Sequence, residues 1–233
     1  NPRKWQDETL LEADIKLKNF AERIRDIEML KSFQSQTQIN LTRSPSFKLL
    51  VDAISIYKKK YNLLPKKILD IGGGLGENFL FLKKMYKITI NSTIIENETL
   101  VKIIKKNKIK HCNFTSNIKK INENFDMIIL SATLEYVENP YALLKVLSNL
   151  TKKIIVIGRV NVGYSDKYKI QVSSLKQNVP YVENLPRNKN KIIFYPYKNL
   201  SIPKICKNLR NFKILRKKRD VNDKINIIFK KKI

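Results

Sequence analysis

Residues 67–80, Lys-Ile-Leu-Asp-Ile-Gly-Gly-Gly-Leu-Gly-Glu-Asn-Phe-Leu, constrain the fold more than any other stretch of the chain. Ile68, Leu69 and Ile71 form a short apolar run of the kind found in a strand buried on both faces. Gly72, Gly73, Gly74 and Gly76 put four glycines into five positions, marking a turn where backbone must approach something closely. Residues 79–84 then read as a helix. A strand, a glycine turn and a helix form an entrance for a nucleotide cofactor. A ligand there lies at the carboxyl end of the strand, beside free N–H groups of the helix N-terminus.

The spacing narrows the choice of ligand. A G-x-G-x-x-G dinucleotide fingerprint fails from each glycine: its last position falls on Glu77 when counted from Gly72 and on Phe79 when counted from Gly74. A phosphate-cradling P-loop fails as well, because no Gly-Lys-Ser/Thr follows. What remains is Asp70-x-Gly72-x-Gly74-x-Gly76, with a carboxylate at the strand end. Such a group would repel a pyrophosphate and suits a ligand carrying an ammonium and a sulfonium. The pattern resembles motif I of the class I S-adenosylmethionine (SAM) methyltransferases. That resemblance implies an α/β, Rossmann-like fold: a mostly parallel twisted sheet with helices on both faces and a terminal antiparallel strand.

Downstream, residues 88–95 are β-branched and close on Glu96, about 20 positions after the glycine turn, where an open α/β sheet places the carboxylate that accepts hydrogen bonds from ribose hydroxyls. The competing reading, a first-turn acid for the helix that follows, stays open. A third strand is expected near 109–113, a fourth over 125–131, a helix over 141–150 and a fifth strand over 154–160. Residues 161–197 read as a long irregular insertion, 198–211 as a helix, and 212–219 with 225–231 as a closing strand pair. Before the glycine stretch, 1–36 carries an amphipathic helical pattern with the single tryptophan, Trp5, as a packing anchor. Ser44-Pro45 looks like the start of a second helix. The expected organisation is a helical extension over 1–64 and a cofactor domain over 65–233.

The 233 residues suffice for one α/β domain with an appendage. The formal net charge of +27 invites a nucleic-acid reading. Against it, the charge is mostly Lys, is scattered along the chain and accompanies an excess of Ile and Asn, as in a product of AT-rich coding. Cys112 and Cys206 lack metal-ligand spacing, and His111 is the single histidine, so neither a metal site nor a disulfide framework is expected. With no membrane-length apolar run, the expected location is cytoplasmic.

Several blocks together resemble a narrower group, the bacterial methyltransferases found among surface-polysaccharide (capsule and O-antigen) genes. These are residues 69–76, 94–96, 131–137 with Pro140, and the segment from Arg159 through Gln171 to Pro196. Two positions depart from the group's pattern: Glu135, where an amide is expected, and Val160-Asn161, where Thr-Pro is usual. The resemblance implies SAM held by Asp70, Gly72, Gly73, Gly74, Gly76, Glu96, Thr115, Ser116 and Ser131. Glu135, Tyr136 and Arg159 would then face the reacting methyl, with Arg159 and Gln171 on the acceptor side. The activity implied is methylation of a small molecule or sugar. An RNA methyltransferase and a non-catalytic SAM-fold binding protein remain alternative readings.

Overall fold

A computed structural model describes residues 44–106, 108–174, 192–220 and 224–232. The N-terminal amphipathic segment with Trp5, and the part of the insertion spanning 175–191, lie outside the described residues.

The chain enters with helix α1 (Pro45–Tyr61), where Pro45 opens the first turn and Asn62, at φ 55°, ends the helix in the left-handed region. An alternating series follows: β1 (Lys67–Ile71), α2 (Glu77–Tyr86), β2 (Asn91–Ile95), α3 (Glu98–Lys106), β3 (Asn113–Thr115) and β4 (Phe125–Ser131). Next come α4 (Pro140–Leu150), β5 (Thr151–Val160), β6 (Val162–Gly163), β7 (Lys167–Ser174), β8 (Ile192–Ser201), α5 (Ile202–Asn208), β9 (Phe212–Arg219) and β10 (Ile225–Lys231).

Seven strands form one sheet in the order β3-β2-β1-β4-β5-β10-β9. The first five are parallel, and β10 runs antiparallel to both β5 and β9. Strands β1 and β4 are neighbours, as the methyltransferase order requires. The chain moves outward from β1 to β3 and then returns to β4 on the other side. The carboxyl ends of β1 and β4 therefore flank the switch point, where an open sheet takes its ligand.

The continuous apolar runs have a simple cause: the central strands are covered on both faces. Ile68, Met127, Ile129, Ile154 and Val156 point to one layer, packed by Phe47, Leu50 and Tyr57 of α1 and by Phe81 of α2. Leu69, Ile128, Leu130, Ile155 and Ile157 point to the other, packed by Leu144 and Leu147 of α4 and by Ile205 of α5. Each such side chain contributes about 1.5–3 kcal/mol by leaving water. Helix α1 crosses β5 so closely that a Cβ on Gly158 would stand 1.9 Å from Cδ2 of Leu49.

Three elements differ from the sequence reading. The third strand starts at Asn113, because the chain first turns through Lys108 at φ 56°. Residues 161–197 are not irregular throughout: β7 and β8 pair antiparallel from Lys167↔Asn199 to Ser174↔Ile192, with β6 alongside β8. The apolar and polar alternation of Tyr168, Lys169, Ile170, Gln171 and Val172 carried that signal. The helix expected over 198–211 is confined to α5, because β8 pairing extends to its end and Pro203 fits only a first turn.

Candidate active site

The glycine turn is held from behind. Gly72 donates its N–H to Ile95 O at 2.8 Å, tying the start of the turn to the end of β2. Gly72 adopts φ +74°, and a Cβ there would lie 2.3 Å from Oγ1 of Thr133 in the loop after β4. A Cβ on Gly73 would meet Oδ2 of Asp70 at 2.6 Å, and one on Gly76 would meet Ile94, Cys112 and His111. The His111 ring sits against the backbone of Leu75 and Gly76, where burial holds its pKa below the ordinary value. It supports the loop from behind.

Three carboxylates surround this turn. Asp70 is buried, and that burial, together with the neighbouring Glu96 and Glu77, pushes its pKa up to about 7. Glu96, at the end of β2, accepts the Gly74 N–H at 2.9 Å through Oε1 and the Asn97 N–H at 3.1 Å through Oε2. The Glu96 N–H donates to Thr115 O at 3.1 Å, which sets the end of β3 beside it. Thr115 Oγ1 accepts from Asn117 N at 3.2 Å, and Ser116 is exposed next to it. Asp70, the four glycines, Glu96, Thr115 and Ser116 thus share one edge of the sheet. A sheet edge rich in carboxylate and backbone N–H suits a ligand carrying positive charge and hydroxyl groups.

The ends of β4 and β5 build the adjoining wall. Ser131 pairs in register with Gly158, and its Oγ lies 3.0 Å from Oγ of Ser46 at the start of α1. Ala132 and Arg159 both adopt left-handed backbone, at φ 54° and 56°. Arg159 donates its N–H to Oδ1 of Asn226 at 2.7 Å, and its Nη1 donates to Ser46 Oγ at 3.1 Å. A short 3-10 turn, Leu134–Tyr136, follows β4. From it the Tyr136 hydroxyl donates to Oε1 of Gln171 on β7 at 2.6 Å. The rings of Tyr136 and Tyr197 stand 6.3 Å apart. Partial burial of its ring, with the Glu135 carboxylate nearby, holds the Tyr136 phenol above the ordinary tyrosine range, so it stays protonated at neutral pH.

Tyr136 and Arg159, expected to face the reacting methyl, stand on this wall with Gln171, expected on the acceptor side, and Ser131, expected to hold the cofactor. Glu135, the third residue expected to face the methyl, is buried with its carboxylate engaged by Asn161 and Lys224. It is 1% exposed; Oε2 accepts the N–H and the Nδ2 of Asn161, both at 2.8 Å, and Oε1 accepts Lys224 Nζ at 2.9 Å. Ser46, Thr133 and Asn226 were missed by sequence reasoning. Thr133 lies in a motif already singled out, whereas no sequence signal marked Ser46 or Asn226. Among the described residues, no group of three or more His, Cys, Asp or Glu is placed to hold a metal ion, and no helix is long and apolar enough to cross a membrane.

Residues 57–231 match the family described as methionine biosynthesis protein MetW. The chain belongs to the MetW family. The MetW match runs from the end of α1 to the end of β10 and so includes the glycine turn, both carboxylate-bearing strand ends and the β7–β8 ribbon. Ser46 lies before it. No curated protein matches the sequence.

Among solved structures, a SAM-bound amino pentose methyltransferase from Micromonospora echinaspora involved in calicheamicin biosynthesis aligns at TM-score 0.54 and 7% identity, covering 87% of this chain and 99% of that one. Magnesium protoporphyrin IX methyltransferase from Synechocystis PCC 6803, with SAM bound, aligns at TM-score 0.52 and 13% identity over 97% of each chain. A glycopeptide N-methyltransferase complexed with SAM aligns at TM-score 0.52 and 10% identity, covering 80% of this chain and 97% of that one. This MetW-family chain therefore has the Rossmann-like methyltransferase fold.

Proposed function

We propose that the chain is a SAM-dependent methyltransferase that modifies a small molecule or a sugar. One observation carries the reading: the carboxylates of Asp70, Glu77 and Glu96 all gather on the glycine turn, and burial first, with Glu96 and Glu77 adding to it, pushes the Asp70 pKa up to about 7. Such a site gains by taking a ligand with an ammonium and a sulfonium, and a pyrophosphate would lose there.

In this proposal Gly72, Gly73, Gly74 and Gly76 line the methionine half of the cofactor, with Asp70 beneath them. Glu96 takes the ribose hydroxyls, Thr115 and Ser116 border the adenine, and Ser131 lies towards the reactive end. The cofactor supplies an electrophilic methyl; the protein aligns the acceptor in line with it. Tyr136 remains protonated and orients the acceptor through its hydroxyl. Arg159 and Gln171 bind the acceptor on the far side. Glu135 acts as a positioning residue, fixing the 3-10 turn that carries Tyr136. A sugar acceptor in surface-polysaccharide synthesis, in the cytoplasm, is the finer proposal, supported by the resemblance of residues 131–137 and 159–196 to that group.

Calorimetric titration with SAM and with S-adenosylhomocysteine tests the reading. Saturable binding of both by the folded chain is expected. A folded chain that binds neither overturns it.

A further inference from the structure

We infer that Arg159 is the anchor for an oxyanion on the acceptor, a carboxylate or a phosphate. That the anion belongs to a methyl acceptor rests on the function proposed above; that the site takes an anion does not.

Arg159 is placed at some cost. Its backbone is left-handed at φ 56°, a conformation that side chains other than glycine rarely adopt, and the Asn226 side chain pins its N–H there. The result turns the guanidinium away from the line of β5, back across the carboxyl end of β4 to Ser46. Strain of this kind is retained where the side chain's direction matters.

The guanidinium is under-satisfied where it ends. Nη1 reaches Ser46 Oγ at 3.1 Å, while Nε is buried and has no hydrogen-bond partner. No carboxylate among the described residues forms an ion pair with Arg159. The carboxylate of Glu135, near enough to act on Tyr136, is already engaged by Lys224 and Asn161. A partly buried cation with no counter-charge among the described residues is expensive to leave bare. An external oxyanion satisfies it, because the planar fork of a guanidinium matches a carboxylate or phosphate with two parallel hydrogen bonds.

The neighbouring groups favour the same ligand. Ser46 presents a hydroxyl beside the guanidinium. Gln171 uses its Oε1 to accept from Tyr136, which leaves its amide N–H groups as donors on that wall. The acceptor side is thus rich in donors and carries positive charge, whereas the glycine-turn side is rich in carboxylate. A neutral sugar leaves the Arg159 charge without a counter-ion; an acidic sugar or a phosphorylated acceptor supplies one.

The test uses the full chain labelled with 15N, the Arg159 Nε–H resonance being assigned by its loss in Arg159→Gln. D-glucuronate, inorganic phosphate and D-glucose are titrated separately at ionic strength held constant with KCl. A saturable shift with glucuronate or with phosphate, and none with glucose, is expected. Which anion acts distinguishes a carboxylate from a phosphate acceptor. Because Arg159 occupies a strained position, Ser46→Ala serves as a second variant. Arg159→Gln should weaken anion binding roughly tenfold to a hundredfold and Ser46→Ala by less. Absence of a saturable shift with either anion, or an equal shift with glucose, overturns the inference. Anion binding without SAM binding would leave this inference standing and remove the methyltransferase reading; SAM binding without anion binding would do the reverse.

Discussion

The N–H of Gly74 donates to Oε1 of Glu96 at 2.9 Å, so the carboxylate that closes the second strand also holds the glycine turn. Both groups belong to the proposed cofactor site. Glu96→Ala removes the hydrogen bond that shapes the turn and the acceptor proposed for the ribose. Losing a charged hydrogen-bond partner costs about 1.5–3 kcal/mol, and SAM affinity should fall roughly tenfold to a hundredfold. Glu96→Gln keeps one acceptor oxygen and should lose less. Calorimetry on folded variants checks this; unchanged affinity in Glu96→Ala removes the ribose role.

Asp70 gives the site a pH dependence with a definite sign. Its pKa is about 7 in the folded chain against an ordinary 3.8, so between those values the native state holds a proton that the unfolded chain has released. Stability should therefore fall as pH rises through this window, by at most about 1.4 kcal/mol per pH unit. A cationic ligand favours the carboxylate, so SAM binding near pH 6 should release a proton and tighten towards neutral pH. Asp70→Asn should flatten both trends. Urea midpoints at pH 5 and pH 7.5 measure the first, and calorimetry in buffers of different ionisation enthalpy counts the proton.

Two glycines of the turn should respond differently to alanine. At Gly74, φ +62°, a Cβ finds nothing closer than Oε2 of Glu77 at 3.8 Å, so Gly74→Ala costs the left-handed conformation alone, about 1–2 kcal/mol. Gly72→Ala adds a collision with Thr133 Oγ1 at 2.3 Å and should destabilise more. Thr133→Ala in the Gly72→Ala background should recover part of that loss. Thermal unfolding of the three variants beside the parent chain decides it, and equal destabilisation by the two glycine changes goes against the steric account.

The sheet and the glycine turn were legible because their causes are local. Strands covered on both faces read as continuous apolar runs, and the strand end before Glu96 was marked by the acid itself. The β7–β8 ribbon has its alternation at Tyr168–Val172, but the polar residues around it give the same stretch the composition of a loop. The acceptor wall was legible only in part. Arg159 meets Ser46 across 113 positions, and Glu135 meets Lys224 across 89. Partner choice at such separations follows from how α1 and β10 pack on the sheet, which no local pattern encodes. Glu135 illustrates the consequence: nothing local in the sequence marks an acid on the loop after the fourth strand as a partner of Asn161 and Lys224.

The positioning role proposed for Glu135 is open to test. The Glu135 side chain is 0% exposed and Lys224 is 25% exposed, so removing either charge leaves the other poorly compensated. Glu135→Ala should cost about 3–5 kcal/mol, since a buried ion deprived of its partner is strongly unfavourable. Glu135→Leu combined with Lys224→Met should return most of the stability, because an apolar pair of similar volume often replaces a buried ion pair without loss. The double variant also loses the carboxylate that holds Asn161, so the turn bearing Tyr136 should loosen and the KM for the acceptor should rise more than kcat falls. Urea unfolding gives the stability, and steady-state kinetics, once an acceptor is in hand, separates the two roles. A stable double variant that binds SAM and acceptor normally yet has no turnover would return Glu135 to the chemical step.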